Sequence, residues 1–583
     1  MSAIQQLLTD HIDIWTAAEI EKRSGRGRAS SSAASVYGIK KLRELILDLA
    51  MRGKLVAQDA TEEPASELLK RIKTAKAKLL SEGKIKKDRQ LVPLADADKY
   101  FDLPTGWEWS RFGEYGTVGS SSRVHQKDWT TSGIPFYRAR EIVLLSRHGS
   151  IDNELFISED LFRDLTAKGI VPEADDLMIT GVGTIGVPYV VAKNDRFYFK
   201  DASVLIFKND YSIFTGYLFL FLISPTWNKK IHAESMGTTV HTLTIARANE
   251  VAIPIPPLAE QHRIVAKVDE LMVLCDQLEA QHSDAADAHE QLVSHMLGTL
   301  TQSQSAAALN INWQRMAAHF DTLFTTEASI DALKQTLLQL AVMGKLVAQD
   351  ANDEPASELL KRIQAEKEKL VSEGKIKKGK PFPKIADDKK IYTQRRGWKI
   401  INFGEIMELI SGQHLNPSEY FETAENDSIP YITGPADFSD NGPIPTRHTR
   451  ERRAIACCGD ILVTVKGSGV GKTNSVHQDE LAISRQLMAI RPILVNISFV
   501  DNLLLTLAQV FQDSTVGIAI PGISREDVLH AQIALPPLAE QIRIVAKIDE
   551  LMAMCGQLRT RITTTNQQQK KLADVLVEHA VVG

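Results

Sequence analysis

Apolar residues recur along the chain with two different periods, and the two textures alternate. Ile39, Leu42, Ile46 and Leu49 stand at helical spacing with Lys and Arg opposite them, which predicts an amphipathic helix. Ile330, Leu333, Leu337 and Leu340 repeat the pattern. In "EPASELLKRIKTAKAKLLSEGKIKK", Pro64 suits the opening of a helix and Gly83 its end, with Leu68, Ile72, Ala75 and Leu79 inside. Later, Ile264, Leu271 and Leu278 occupy one heptad seam position, and Val268 and Cys275 the other. Near the C-terminus the seam reads Ile544, Leu551, Leu558 with Ile548, Cys555 and Ile562, resuming at Leu572 and Leu576. About four heptads of this kind predict two long helices that pack on each other. Residues 101–255 and 391–535 read instead as short strands with Gly-rich turns.

The helical texture is duplicated almost letter for letter. Residues 53–72, beginning "GKLVAQDA", match residues 344–363 at 18 of 20 positions, 291 residues apart. "PPLAEQHRIVAKVDELM" (256–272) matches "PPLAEQIRIVAKIDELM" (536–552) at 15 of 17, with an offset of 280. The β-rich segments open alike, with "GWEWSRFGE" at Gly106 and "GWKIINFGE" at Gly397, then diverge and differ in length by 11. The resulting domain reading is 1–100 helical, 101–257 β-rich, 258–390 helical, 391–536 β-rich and 537–583 helical. "EKRSGRGRASSSAASV" (21–36) reads as a flexible linker.

A length of 583 residues predicts several domains. The start lacks the pattern of a signal peptide, and the most apolar run, "YLFLFLIS" (217–224), is far too short to span a bilayer, so a cytoplasmic protein is expected. The four cysteines form no C-x-x-C pair; Cys275 and Cys555, at matching places, read as small buried apolar residues. Cys457 and Cys458 have no neighbouring ligand at zinc spacing, and no metal is expected. Net charge is −5, and residues 107–250 hold 15 Lys and Arg against 17 Asp and Glu, while 395–530 hold 12 against 16. Charge alone therefore does not mark a nucleic-acid binder.

Two Gly-rich motifs imitate nucleotide sites. "GVGTIG" (181–186) follows an apolar strand, but "VPYVVA" after it reads as another strand rather than the helix that a dinucleotide fold needs. In "KGSGVGKT" (466–473), Lys466 stands where a phosphate loop requires its first Gly. Both read as turns that hold small polar and basic side chains outward, which suits contact with a phosphate backbone or a base edge. No methyltransferase, helicase or metalloprotease motif occurs, and no active site is evident.

Two cycles of "GKLVAQDAxxEPASELLKRI" and "PPLAEQxRIVAKxDELM" around variable β-rich segments resemble the specificity subunit of type I restriction–modification enzymes, in the branch with a long N-terminal conserved region. The resemblance covers essentially the whole chain. It implies an α+β fold with two similar β-rich target recognition domains, separated by conserved helices in an antiparallel coiled coil, as a pseudo-twofold duplication. It implies that each domain reads one half of a split double-stranded DNA target, and that the helices space the domains and dock two modification subunits. It further implies a non-catalytic chain without cofactor, S-adenosylmethionine, ATP and Mg belonging to modification and restriction partner subunits. Fusing two copies lets the halves diverge, so the target need not be palindromic, while two identical partners keep one symmetric docking surface. By residue chemistry, the candidates for DNA contact are Arg123, Gln126, Lys127, Arg138, Arg140, Thr184 and His241 in the first domain. In the second they are Gln413, His414, Asn416, Lys466, Lys472, Arg485 and Gln486. The rival readings are a nucleotide-dependent enzyme using Lys472 and Thr473, and a duplicated scaffold that binds only protein.

Overall fold

The computed structural model describes residues 11–17, 36–83, 91–167, 169–211, 213–233, 242–385, 395–467, 469–513 and 522–582. The stretch read as a linker, apart from its last residue, and His241 lie outside the described residues. The architecture is α+β, and the chain divides into two compact units, Met1–Ala285 with Thr565–Gly583, and Ala286–Thr564. The repeated frame is carried by helices α1 (Tyr37–Met51), α2 (Ala65–Ser81), α3 (Leu258–Gln302), α4 (Glu327–Val342), α5 (Ala356–Ser372) and α6 (Leu538–Val582).

In the first unit, Ile39, Leu42, Ile46 and Leu49 of α1 enter one core with Ile264, Val268, Leu271 and Cys275 of α3 and Ala573 of α6. Burial pushes the Cys275 thiol up to about 11, as expected of an inert apolar filler. In the second unit, Ile330, Leu333, Leu337 and Leu340 of α4 join Val293, Leu297 and Leu300 of α3 and Cys555 of α6. The heptad reading fails at one place: Leu572 is 50% exposed, and Ala573 takes the buried position instead. The polar run "TTTNQQQKK" before it breaks the apolar phase, so the seam resumes one residue later.

Ion pairs flank these packed faces with opposite polarity. Arg43 of α1 bonds Asp276 and Glu279 of α3, each at 2.7 Å. In the second unit the acids stand on the short helix: Glu327 and Asp331 of α4 meet Arg559 of α6 at 2.7 and 3.5 Å. Glu279 and Arg559 are equivalent under the offset of 280.

Each variable segment is closed at its base by its own two ends. Strand Glu108–Arg111 runs antiparallel to Ala252–Ile255, and Lys399–Asn402 pairs in the same way with Gln532–Leu535. Phe112 N–H continues the first ladder to Val251 O at 2.8 Å, and Phe403 N–H the second to Ala531 O at 2.8 Å. Beside each ribbon the repeated letters meet. Trp107 Nε1 donates to Glu260 Oε2 at 3.0 Å, and Trp398 Nε1 to Glu540 Oε2 at 2.9 Å, both buried. Gln261 and Gln541 Nε2 cap the carbonyls of Pro256 and Pro536, each at 3.0 Å, at the starts of α3 and α6. Gly53, the first letter of "GKLVAQDA", has φ +66°, and a Cβ there would fall 2.5 Å from Pro104 and 3.0 Å from Trp107. Gly344 repeats this against Trp398, so glycine is required twice by one turn and one indole. One difference between the copies falls at the glutamate: Gln58 Nε2 reaches Glu260 Oε1 at 2.7 Å, whereas Gln349 Nε2 turns to Arg396 O and leaves Glu540 Oε1 without a partner.

Above each ribbon stand two small sheets. In the first domain an antiparallel sheet has the order Thr117–Gly119, Val204–Lys208, Leu177–Thr180, Pro188–Val190, and a second has Phe156–Ile157, Ile134–Tyr137, Tyr198–Phe199. The second domain repeats the first sheet as Met407–Ser411, Leu487–Pro492, Ile461–Thr464, Thr473–Ser475. Its other sheet grows to five strands around Ile429–Ile432 and Glu480–Ile483. The apolar run at 217–224 forms the buried helix Thr215–Ile223, a core element. No helix among the described residues is long and apolar enough to cross a membrane.

Candidate nucleic-acid interface

The four-stranded sheets have a fixed end and a loop-bearing end. At the fixed end, Lys208 Nζ bonds the buried Asp176 at 2.7 Å, and Arg491 holds Asp460 through two bonds of 2.8 Å. At the other end, three chain segments converge in each domain. Both Gly-rich motifs are hairpin turns: Gly186 N–H returns to Thr180 O at 2.7 Å, and Gly471 N–H to Thr464 O at 2.9 Å. Strands Pro188–Val190 and Thr473–Ser475 follow them, so neither turn opens the helix that would seat a nucleotide phosphate. Beside each hairpin the chain crosses from one sheet to the other, at 200–203 and at 484–486.

The crossover is locked to the hairpin by the same bond in both halves. Gly181 N–H donates to Ser203 O, and Val465 N–H to Gln486 O, each at 2.8 Å. Gln413 N–H joins Ile483 O at 3.0 Å, while the first domain uses the Ser121 hydroxyl on Phe199 O at 2.7 Å. Gln413, Lys466, Lys472, Arg485 and Gln486 are thereby brought together, all exposed. Close packing sets their spacing. A Cβ on Gly434 would lie 2.6 Å from Gln486 Oε1, and one on Gly469 would lie 2.7 Å from Pro435 Cγ and 3.7 Å from Lys472 Cδ. His414 is exposed beside Gln413.

In the first domain Arg123 is exposed just beyond Ser120–Ser122, whose side chains and backbone bond Val204 O, Phe199 O and the Tyr198 hydroxyl. Thr184 is exposed at the hairpin tip, and Arg140 lies exposed in the first turn of helix Ala139–His148, which follows strand Ile134–Tyr137. Two candidates are engaged within the fold. Arg138 precedes that helix, and Glu141 takes its Nε and Nη2 at 3.1 and 2.7 Å. Asn416 gives its amide to Glu419 Oε2 at 3.1 Å. Gln126 and Lys127 are exposed in the short helix Gln126–Asp128, whose next residues lead to the Thr130–Phe156 bridge rather than to the hairpin.

Charge is distributed unevenly among these residues. Lys466 and Lys472 are the only lysines between residues 407 and 530, and both are exposed without an ion pair among the described residues. In that span Arg450, Arg452, Arg453 and Arg491 pair with acids, Arg447 lies 4.8 Å over the Tyr420 ring, and Arg525 bonds Leu409 O. Arg485 has none of these attachments. Lys200 and Asp201, half-buried in the crossover of the first domain, were not among the candidates chosen by residue chemistry. They fall where the two halves no longer align, and only strand register reveals their place. No group of three or more His, Cys, Asp or Glu among the described residues is placed to hold a metal ion.

The structure thus presents a duplicated sheet pair with exposed cations and amides at one end. Residues 104–286 and 395–565 match the family described as "Type I restriction modification DNA specificity domain". The chain is 38% identical to the type I restriction enzyme EcoEI specificity subunit of Escherichia coli, over 99% of this chain and 100% of that one. It is 37% identical to the EcoAI specificity subunit of the same organism, with the same two coverages. The HsdS subunit from Thermoanaerobacter tengcongensis is similar at 20% identity with a TM-score of 0.39, covering 84% of this chain and 99% of that one. The chain belongs to the family of type I restriction–modification specificity subunits.

Proposed function

We propose that each variable domain reads one half of a split DNA target with its hairpin and crossover, and that the chain performs no chemistry itself. The conserved helices fix the distance between the half-sites and dock two modification subunits, which bring S-adenosylmethionine and methylate adenine. Restriction subunits add ATP- and Mg-dependent work. The observation that supports this most directly is the pair of matched loop ends: one backbone frame, twice, carrying different exposed side chains. Backbone contacts to phosphate would fix register, and side chains at base edges would fix sequence. The near-neutral balance of each domain fits a subunit whose partners share the phosphate contacts.

Single-molecule sequencing of host DNA, with and without this gene, tests the reading. A gene-dependent methylated word of two parts around a fixed gap is expected; methylation of an unsplit word, or none, refutes it. The purified chain is expected to show no saturable binding of S-adenosylmethionine or ATP in equilibrium dialysis. Such binding would overturn the non-catalytic assignment.

A further inference from the structure

We infer that the crossover turn between the two sheets is a specificity element, with Arg485 and Gln486 contacting base edges in the second domain. Lys200 and Asp201 take that role in the first. This rests on the proposed DNA-reading function and adds which backbone segment carries the reading.

Three observations lead there. First, the turn is rigid. Ser484 N–H bonds Ile432 O at 3.0 Å, its hydroxyl donates to Thr433 O at 2.5 Å and accepts from Gln486 N–H at 3.2 Å, and Gln486 O accepts from Val465. A side chain on such a support loses little backbone freedom on binding, as base discrimination requires. Second, Arg485 and Gln486 are adjacent, exposed and unengaged, while the other arginines between residues 407 and 530 are held by an acid, a ring or a carbonyl. Lys466 and Lys472 on the neighbouring hairpin offer the positive charge that would seat a phosphate backbone beside them.

Third, the turn is where equivalent frames diverge in chemistry. Strand register aligns Phe199 with Ile483 and Val204 with Leu487. Four residues, Lys200 to Ser203, therefore span the gap in one domain, and three, Ser484 to Gln486, in the other. The extra residue is accommodated by Ala202 at φ +58°. A change of length and of every side chain between fixed anchors is what two different half-sites demand. Arg suits guanine O6 and N7, Gln suits adenine N6 and N7, and Asp accepts from cytosine N4.

The test uses the chain assembled with its modification subunits, and measures methylation of duplexes varied at each position of the second half-site. Arg485→Ala is expected to lower the preference at one position by roughly 5- to 150-fold. Every other position, and the first half-site, should keep its base. Unchanged discrimination, or a uniform loss across sequences with a salt slope smaller by about one, assigns Arg485 elsewhere or to phosphate and overturns the inference. If Arg485→Ala abolishes methylation, Arg485→Lys decides. Activity restored with one relaxed position supports base reading; activity restored with the word intact, or not restored, overturns it. A wild-type complex that recognises no split word would instead refute the proposed function.

Discussion

The two buried Trp–Glu joints are equal in sequence and unequal in bonding, so their removal should cost different amounts. Glu260 accepts from Trp107 and Gln58, whereas Glu540 accepts from Trp398 alone. A buried donor stripped of its acceptor costs about 1–3 kcal/mol. Glu260→Ala orphans the buried Trp107 donor and takes one bond from the exposed Gln58 amide, which keeps Gly53 O at 3.1 Å, so a loss of about 2–4 kcal/mol is predicted once the cavity is included. Glu540→Ala orphans Trp398 alone and should cost about 0.5–1.5 kcal/mol less, the net worth of the one bond that Glu540 lacks. The amide variants separate hydrogen bonding from charge. Burial pushes both carboxyls above the ordinary glutamate range, against the pull of the tryptophan N–H. A raised folded pKa means that the stabilisation is complete below the unfolded value and is lost as pH rises through the folded one. Glu540→Gln removes a charge with one unsatisfied oxygen while keeping an acceptor for Trp398. It should equal or exceed wild-type stability at pH 7 and lose that margin near pH 4. Urea titrations followed by far-ultraviolet circular dichroism at both pH values read all of this, each variant being compared with the transition of its own unit. Glu540→Ala costing as much as Glu260→Ala, or Glu540→Gln destabilising at pH 7, would refute the account.

Other outcomes follow from the same frame. Replacing residues 112–251 with the chain's own residues 403–531 joins cuts that lie beside the paired ribbons. The methylation map should then show a target whose halves are both the second word, and an unchanged first half would refute independent reading. Inserting four residues into α3 between Asp284 and Asp287, and four into α6 after Thr564, lengthens each helix by about 6 Å. The gap in the methylated word should grow by roughly one to two base pairs, and an active complex with its original gap would show that these helices do not set it. Lys472→Ala should weaken binding across all sequences and reduce the salt slope by about one if it touches phosphate; an unaltered slope and word would place it away from DNA. Lys367, half-buried with its Nζ on Gly404 O at 2.7 Å, has its ammonium pushed down to about 8 by desolvation. The unfolded chain then holds more protons between pH 8 and the ordinary lysine value of about 10.4, so stability of that unit should climb with pH there. Lys367→Met should flatten the climb.

The frame was legible in the sequence because its letters perform the same contacts twice. Gly53 and Gly344 under their indoles, Trp107 and Trp398 on their glutamates, and the paired Gln261 and Gln541 caps each needed one residue type, and duplication exposed it. The heptad pattern gave the buried faces of α3 and α6, and missed only where the polar run shifted the phase from Leu572 to Ala573. The loop-bearing end offered its polar letters in the sequence but not their geometry. Arg138 and Asn416 are as polar as Arg485, but only the fold reveals Glu141 and Glu419 beside them. Lys200 and Asp201 carry no motif, since a turn fixed by its neighbours' backbone places no demand on its own letters.

A gene that doubles itself inherits a hazard: each short helix now has two nearly identical long helices to choose from. Apolar seams alone would barely tell them apart. The reversed polarity of the flanking pairs does. If α1 took the α6 segment around Arg559, its own Arg43 would confront another arginine; if α4 took the α3 segment, Glu327 and Asp331 would confront Glu279, while Lys334, the counterpart of Arg43, would still meet acids. Exposed pairs of this kind stabilise the right match by no more than about 1 kcal/mol each, but repulsion in the wrong match adds to the difference. Chains emerging side by side face the same choice between molecules, where exchanging helices would tangle two copies together. The charge reversal turns α1 away from the wrong long helix, and it leaves the apolar seams of the two halves free to stay alike.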